Sequence, residues 1–283
     1  MKRYRLVIDC PDQIGLVAEV SRFLADLQAS IMEASHHTDI EAGWFFMRHE
    51  IAAESFELTL PEFKLKFAPI AEKFNMNWRI VDSSQKQNIV IMASRESHCL
   101  ADLLHRWHSG ELECNIVAVI ANHDHLRQMV QWHGIPYHHV PFPKDNKQPA
   151  FDEVADLIKQ YKAETVVLAR FMQIFPDALC REMAGKVINI HHSFLPSFAG
   201  AKPYHQAYER GVKLIGATCH YVTADLDAGP IIEQEITRIS HSDAVGEMVR
   251  KGKDCEKNAL ARGLRYHLED RVIIHQNKTV VFD

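Results

Sequence analysis

The sequence predicts an α/β protein of two domains: a small βαββαβ unit of ferredoxin-like topology, then a doubly wound, mainly parallel α/β domain. Three observations lead there. Short strand-like runs in residues 1–83 alternate with two helical stripes in the order strand, helix, strand, strand, helix, strand. From Asn88 onward, near-continuous apolar runs alternate with amphipathic helical patterns, as strands covered on both faces and their crossover helices do. Between the two, residues 84–87 close the polar run Asp82-Ser83-Ser84-Gln85-Lys86-Gln87, which reads as a linker.

In the first domain, Tyr4 to Ile8 is a strand and Asp9-Cys10-Pro11-Asp12-Gln13-Ile14-Gly15 a turn rich in breakers. Val17, Val20, Leu24, Leu27 and Ile31 recur at helical steps and predict one buried stripe. Strand-like runs follow near Ser30 to Thr38 and Gly43 to Ala52. A second helix, Phe63 to Phe74, is entered after Pro61, and Asn77 to Val81 closes the unit.

The second domain is expected over residues 88–283. Its strands are Asn88 to Ala93, Asn115 to Ala121, Thr165 to Ala169, Lys186 to Ile190 and Leu214 to Val222. Helical patterns separate them at His98 to His108, Asp124 to His133, Phe151 to Tyr161, Pro176 to Met183 and Pro203 to Glu209. Ala244 to Leu268 reads as a long charged helix, and Val272 to Phe282 as a hairpin about Gln276-Asn277-Lys278.

Composition narrows the function. The chain has 283 residues, 47% of them hydrophobic, and a formal net charge of -5, which argues against a nucleic-acid or anionic-membrane partner. No apolar run approaches the roughly 18 residues of a membrane span. The start, Met1-Lys2-Arg3-Tyr4-Arg5, shows no signal-peptide pattern, and the six cysteines lack any C-x-x-C spacing. A cytoplasmic location is expected. The 18 histidines include no pair at the i, i+4 spacing of a helix-borne zinc site, so no metal is expected. The turn Ser94-Arg95-Glu96-Ser97-His98 lacks the glycines of a dinucleotide or nucleotide loop, so no cofactor is expected.

The chemistry concentrates between Gly185 and Ile232. A strand ending in Asn189-Ile190-His191 places an amide and an imidazole where open α/β sheets bind ligands. The loop Thr223-Ala224-Asp225-Leu226-Asp227-Ala228-Gly229-Pro230 offers two carboxylates to the same region. An amide N–H can steady a carbonyl oxygen becoming an oxyanion, and an imidazole oriented by a carboxylate can exchange a proton near neutral pH. Taken alone, the triplet more often marks a capped turn beside two surface acids.

The ordered run Asn189-Ile190-His191, Ser193-Phe194-Leu195-Pro196 and Asp225-Leu226-Asp227-Ala228-Gly229-Pro230-Ile231-Ile232 resembles the signature of formyltransferases and hydrolases that use 10-formyltetrahydrofolate. It departs softly at Phe194, where Leu is usual. The resemblance implies a catalytic trio of Asn189, His191 and Asp227, with His192 standing where many relatives carry Pro. It also implies that Leu168, Arg170, Phe171, Met172, Gln173, Phe175, Val187, His220 and Val222 contact the substrate, His220 propping the Asp227 loop as well. The residues of Val166 to Phe175 taken alone read as core lining. The Leu168-Ala169-Arg170-Phe171-Met172-Gln173 run is similar to the hydrolytic branch, where many transferases have Gly in place of Arg170. The Gly-rich turn that wraps the acceptor phosphate in glycinamide ribonucleotide transferases is missing here, as is the basic C-terminal extension of the methionyl-tRNA formyltransferases.

The Pro11-Asp12-Gln13-Ile14-Gly15-Leu16 turn resembles that of ACT domains, which often bind small amino acids. That resemblance implies an effector site at Asp12, Ile14 and Gly15, with glycine and methionine as candidates, in a homo-oligomer; a purely oligomerising module fits the same residues. Together the two resemblances imply a formyltetrahydrofolate deformylase, releasing formate and tetrahydrofolate. The alternatives are a formyltransferase to another amine and a non-catalytic folate or amino-acid sensor. Whether His191 or Asp227 takes the water's proton stays open.

Overall fold

The computed structural model describes residues 2–55, 57–197 and 203–283. They divide into two compact units, one of Met1–Lys86 with Glu269–His275 and Val280–Asp283, the other of Gln87–Leu268 with Gln276–Thr279.

In the first unit, β1 (Arg3–Pro11), α1 (Leu16–Asp26), β2 (Ile31–Asp39), β3 (Trp44–Ala52), α2 (Leu60–Lys73) and β4 (Asn77–Asp82) follow the expected βαββαβ order. The four strands pair antiparallel in the order β2-β3-β1-β4. Gly15 starts α1 at a left-handed φ of 97°, a conformation that glycine adopts without penalty. The buried stripe of α1 is Leu16, Val20 and Leu24, at steps of four. Leu27, at the end of the helix, packs partly buried against the same core, while Val17 is half exposed and Ile31 already belongs to β2, so the expected stripe is corrected at those two positions. The chain leaves α1 through Gln28 at a left-handed φ of 56°, which ends the helical period before Ile31 is reached. Helix α2 begins earlier than expected because Thr59 and Glu62 form a reciprocal capping box at its start.

The sheet face opposite the helices is also buried. Val7 and Phe46 pack there against Ile273 and Phe282. Asp270 pairs with Arg5 and Arg79, and Arg48 donates to Glu50 and to the Glu269 carbonyl. The C-terminal segment, assigned from sequence to the second domain, therefore belongs largely to the first unit. Its apolar and acidic residues cover a face that Val7, Phe46 and three arginines would otherwise expose.

The second unit is built from β5 (Asn88–Ala93), α3 (His98–His108), β6 (Asn115–Ala121), α4 (Arg127–Trp132), β7 (Tyr137–His139), α5 (Gln148–Gln160), β8 (Thr165–Ala169), α6 (Asp177–Glu182), β9 (Val187–His191), α7 (Pro203–Arg210), β10 (Leu214–Tyr221), β11 (Ile231–Arg238) and α8 (Val245–Leu268). The C-terminal hairpin is β12 (Val272–His275) and β13 (Lys278–Val281).

The seven-stranded sheet runs β11-β10-β9-β8-β5-β6-β7. Strands β9, β8, β5, β6 and β7 are parallel, and β10 and β11 add antiparallel at one edge. Strands β7 and β11 lie outside the expected set. The first is only three residues long, and the second carries acidic and polar residues at Glu233, Gln234 and Glu235, so neither reads as an apolar run. Strand order reverses between β5 and β8, the switch point beside which such sheets open a crevice.

Candidate active site

Side chains two apart on a strand share a face. On β9 this rule brings Asn189 and His191 to one side and turns Ile190 to the other. Antiparallel pairing sets His220 of β10 directly across from Asn189, and Thr218 across from His191. The Asn189 amide nitrogen lies 3.2 Å from His220 Nε2, and His220 Nδ1 lies 2.9 Å from the Tyr221 carbonyl oxygen. A carbonyl only accepts, so Nδ1 carries the proton and Nε2 presents its lone pair to the amide N–H. His220 is buried, which lowers its pKa and keeps the ring in that neutral form. One N–H of Asn189 is thereby spent on His220, and its second N–H is oriented by the same contact.

Asp227 reaches this pair from the loop after β10. Its Oδ2 is 3.2 Å from His191 Nδ1, and its Oδ1 is 3.8 Å from His220 Nε2. The hydrogen bond from His191 holds the Asp227 carboxyl below the usual carboxylate range against the opposing effect of burial. Asp227 sits at a left-handed φ of 54°. The turn behind it depends on Gly229, where a Cβ would fall 1.9 Å from the Tyr221 carbonyl oxygen. Among the described residues, His191 Nε2 is buried without a partner. A donor or acceptor in that state is costly unless a ligand or water meets it.

These groups border a cleft of about 420 Å³. Its walls include Leu168, Arg170, Phe171, Met172, Gln173, Phe175, His220 and Val222, eight of the nine residues expected to contact substrate. Val187 is the exception. It is 1% exposed and lies within the hydrophobic core, because Val222 N–H pairs with its carbonyl and β8 covers its other side. The expectation that Val187 meets the substrate is corrected on that ground.

Sequence reading missed Ile174 and Leu226, which also line the cleft and are 66% and 64% exposed. With Met172 they form an open apolar rim suited to the faces of a flat ring. Their signal was present as large apolar residues in predicted loops. His192 lines the cleft beside His191, and burial together with the nearby Arg170 charge brings its pKa down to about 4.

Asp12, Ile14 and Gly15 stand together in the turn before α1. Ile14 is fully exposed there. Among the described residues, one cluster has metal-ligand types within reach, His98, Cys99 and Glu256. Arg170 already balances the Glu256 charge at 3.3 Å, and burial beside Glu256 pushes the Cys99 thiol well up, so this set is poorly disposed to hold a cation. All six cysteines are buried. Among the described residues no helix is long and apolar enough to cross a membrane.

A doubly wound sheet carries an Asn, a His and an Asp around one cleft, and the comparisons give the class of the fold. Residues 87–264 match the formyl transferase family and residues 4–64 the ACT domain. The glycinamide ribonucleotide transformylase 1 structure from Symbiobacterium toebii superposes with a TM-score of 0.66 at 25% identity, covering 70% of this chain and 95% of that one. Other likenesses span nearly the whole chain. The formyltetrahydrofolate deformylase of Corynebacterium sp. (strain P-1) is 46% identical over 279 residues, 99% of this chain and 98% of that protein. The crystal structure of a formyltetrahydrofolate deformylase from Pseudomonas syringae pv. tomato str. DC3000 has a TM-score of 0.98 at 65% identity, covering 100% of this chain and 95% of that one. The chain belongs to the formyltetrahydrofolate deformylase family.

Proposed function

We propose that this chain hydrolyses 10-formyltetrahydrofolate to formate and tetrahydrofolate, with Asn189, His191 and Asp227 as the catalytic residues. The observation that carries the reading is His191, whose Nδ1 faces Asp227 at 3.2 Å while its buried Nε2 has no partner among the described residues. With Asp227 ionised and accepting the Nδ1 proton, Nε2 is the atom left to exchange a proton with substrate or water. Water attacks the formyl carbon as the Nε2 lone pair takes its proton. The free N–H of Asn189 steadies the oxyanion of the tetrahedral intermediate. The carbon–N10 bond then breaks as the imidazolium returns its proton to N10, and formic acid leaves, giving its remaining acidic proton to solvent to become formate.

The apolar rim of Met172, Ile174 and Leu226 suits the pterin ring, with Gln173 supplying a polar contact. The first unit is proposed to bind glycine or methionine through the Asp12–Gly15 turn, within a cytoplasmic homo-oligomer. An effector acts only by favouring one state of the enzyme over another. Formate release from 10-formyltetrahydrofolate without any acceptor amine tests the activity. Steady turnover supports the hydrolase; turnover only with an amine supports a transferase; binding without turnover supports a sensor. Repeating the assay with glycine or methionine tests the effector reading, which a flat response would remove.

A further inference from the structure

We propose that Glu256 is a positioning residue for this reaction and that it acts through Arg170. Glu256 lies on α8, outside every sequence motif above, and is 1% exposed. A carboxylate in that position must be matched by charge and donors. Three elements supply them. Arg170, just past β8, brings its Nε to 3.3 Å. His98, at the start of α3, has its Nε2 at 2.7 Å, and the Tyr204 hydroxyl of α7 donates at 2.8 Å. Room for Tyr204 comes from Gly252 on the same helix as Glu256, where a Cβ would lie 2.1 Å from the Tyr204 hydroxyl oxygen. The site is therefore built, with a residue on each side shaped to the other.

Of these four side chains only Arg170 lines the cleft. Among the described residues it is also the one lysine or arginine that does so. It adopts a left-handed φ of 62°, and the loop after it is tied back where Met172 N–H donates to Ser94 Oγ at 3.0 Å. An arginine side chain left to itself samples many rotamers, and a catalytic field requires a fixed charge. Glu256 fixes this one. The charge stands beside His192, the neighbour of His191, in a cleft where hydrolysis accumulates negative charge on the formyl oxygen and ends in formate. Stabilising charge that develops in the transition state acts on kcat more than on KM.

The inference rests on the hydrolase reading, and its test separates the two. Formate release is measured for the full chain and for Glu256→Gln, Arg170→Gln and the double variant. Each single substitution is expected to lower kcat at least ~10-fold while KM moves within ~3-fold. The double variant is expected to be no slower than Arg170→Gln alone, since residues acting as one unit are not additive. Tyr204→Phe removes one donor only and keeps the ring, which guards against a failure of Glu256→Gln to fold. It should slow the wild type and have no effect in the Arg170→Gln background. Full kcat in Glu256→Gln, or losses that multiply in the double variants, overturn the proposal. Absent turnover in the wild type would instead overturn the hydrolase reading.

Discussion

His191 Nδ1 faces Asp227 Oδ2 at 3.2 Å across the mouth of a cleft, although His191 ends strand β9 and Asp227 lies in the loop after the antiparallel strand β10. The contact assigns both nitrogens of the ring, one to the carboxylate and one to the reaction. Asn189, two positions earlier on β9, is oriented by a second imidazole, His220. In the proposed mechanism the two histidines take opposite parts, His191 exchanging a proton and His220 remaining neutral as a fixed acceptor.

Replacing either reacting group should be severe. His191→Ala and Asn189→Ala are expected to retain folate binding and to lose at least ~100-fold in kcat, the scale of a lost acid–base group or oxyanion donor. His192→Ala should cost much less, because that ring makes no contact with Asp227 within ion-pair distance. Steady-state kinetics of the three variants, with tetrahydrofolate binding measured alongside, check the order. Equal losses for the two histidines would remove the assignment to His191.

Asp227→Asn should cut kcat about as far as His191→Ala, since an amide can present its N–H to Nδ1 and reverse the tautomer. Asp225→Asn should be mild, as its carboxylate lines the cleft and pairs with neither His191 nor His220. The opposite ranking in formate release would move the carboxylate role two residues upstream.

Gly229→Ala probes the same carboxylate without touching its chemistry. The added methyl meets a backbone oxygen, not a movable side chain, so the turn carrying Asp227 must shift. Turnover is expected to fall about 10-fold or more, since a displacement of one ångström at a reacting group costs rates of that order. Wild-type kcat in a folded Gly229→Ala would show that Asp227 does not need its present place.

Acid should weaken the first unit through His49. That ring is buried on β3 with its Nε2 2.7 Å from His36 Nε2, and burial, with His36 adding to it, lowers its pKa to about 4. In the unfolded chain a histidine titrates near 6.5, so the unfolded state takes up the proton first as pH falls. The contribution is complete above about pH 6.5 and lost on the way to pH 4, and is on the order of 3 kcal/mol for a shift of this size. Urea-unfolding midpoints between pH 7 and pH 4.5 should fall, and His49→Gln should flatten that slope. An unchanged slope in the variant would place the acid sensitivity elsewhere.

What the sequence by itself determined is whatever depends on chain-local periodicity. Apolar runs such as Asn88–Ala93 and Thr165–Ala169 are strands because they are short, branched and bounded by polar turns. Asn189 and His191 share a face because their spacing is two, and the long ordered match from Asn189 to Ile232 carried the family. Tertiary structure alone decided the rest. Val187 has the same period as Asn189 and His191 yet lies in the core, because cover from the neighbouring strands is not written in β9. The C-terminal segment joins the first unit because Val7 and Phe46 leave a sheet face to be filled, a need visible only once four strands are paired. Glu256 looked like one more charge on a long polar helix. Its meaning comes from Arg170, His98 and Tyr204, which approach it from three other elements. Periodicity fixes which way a side chain points along its own element; strand order and helix packing fix what it meets there.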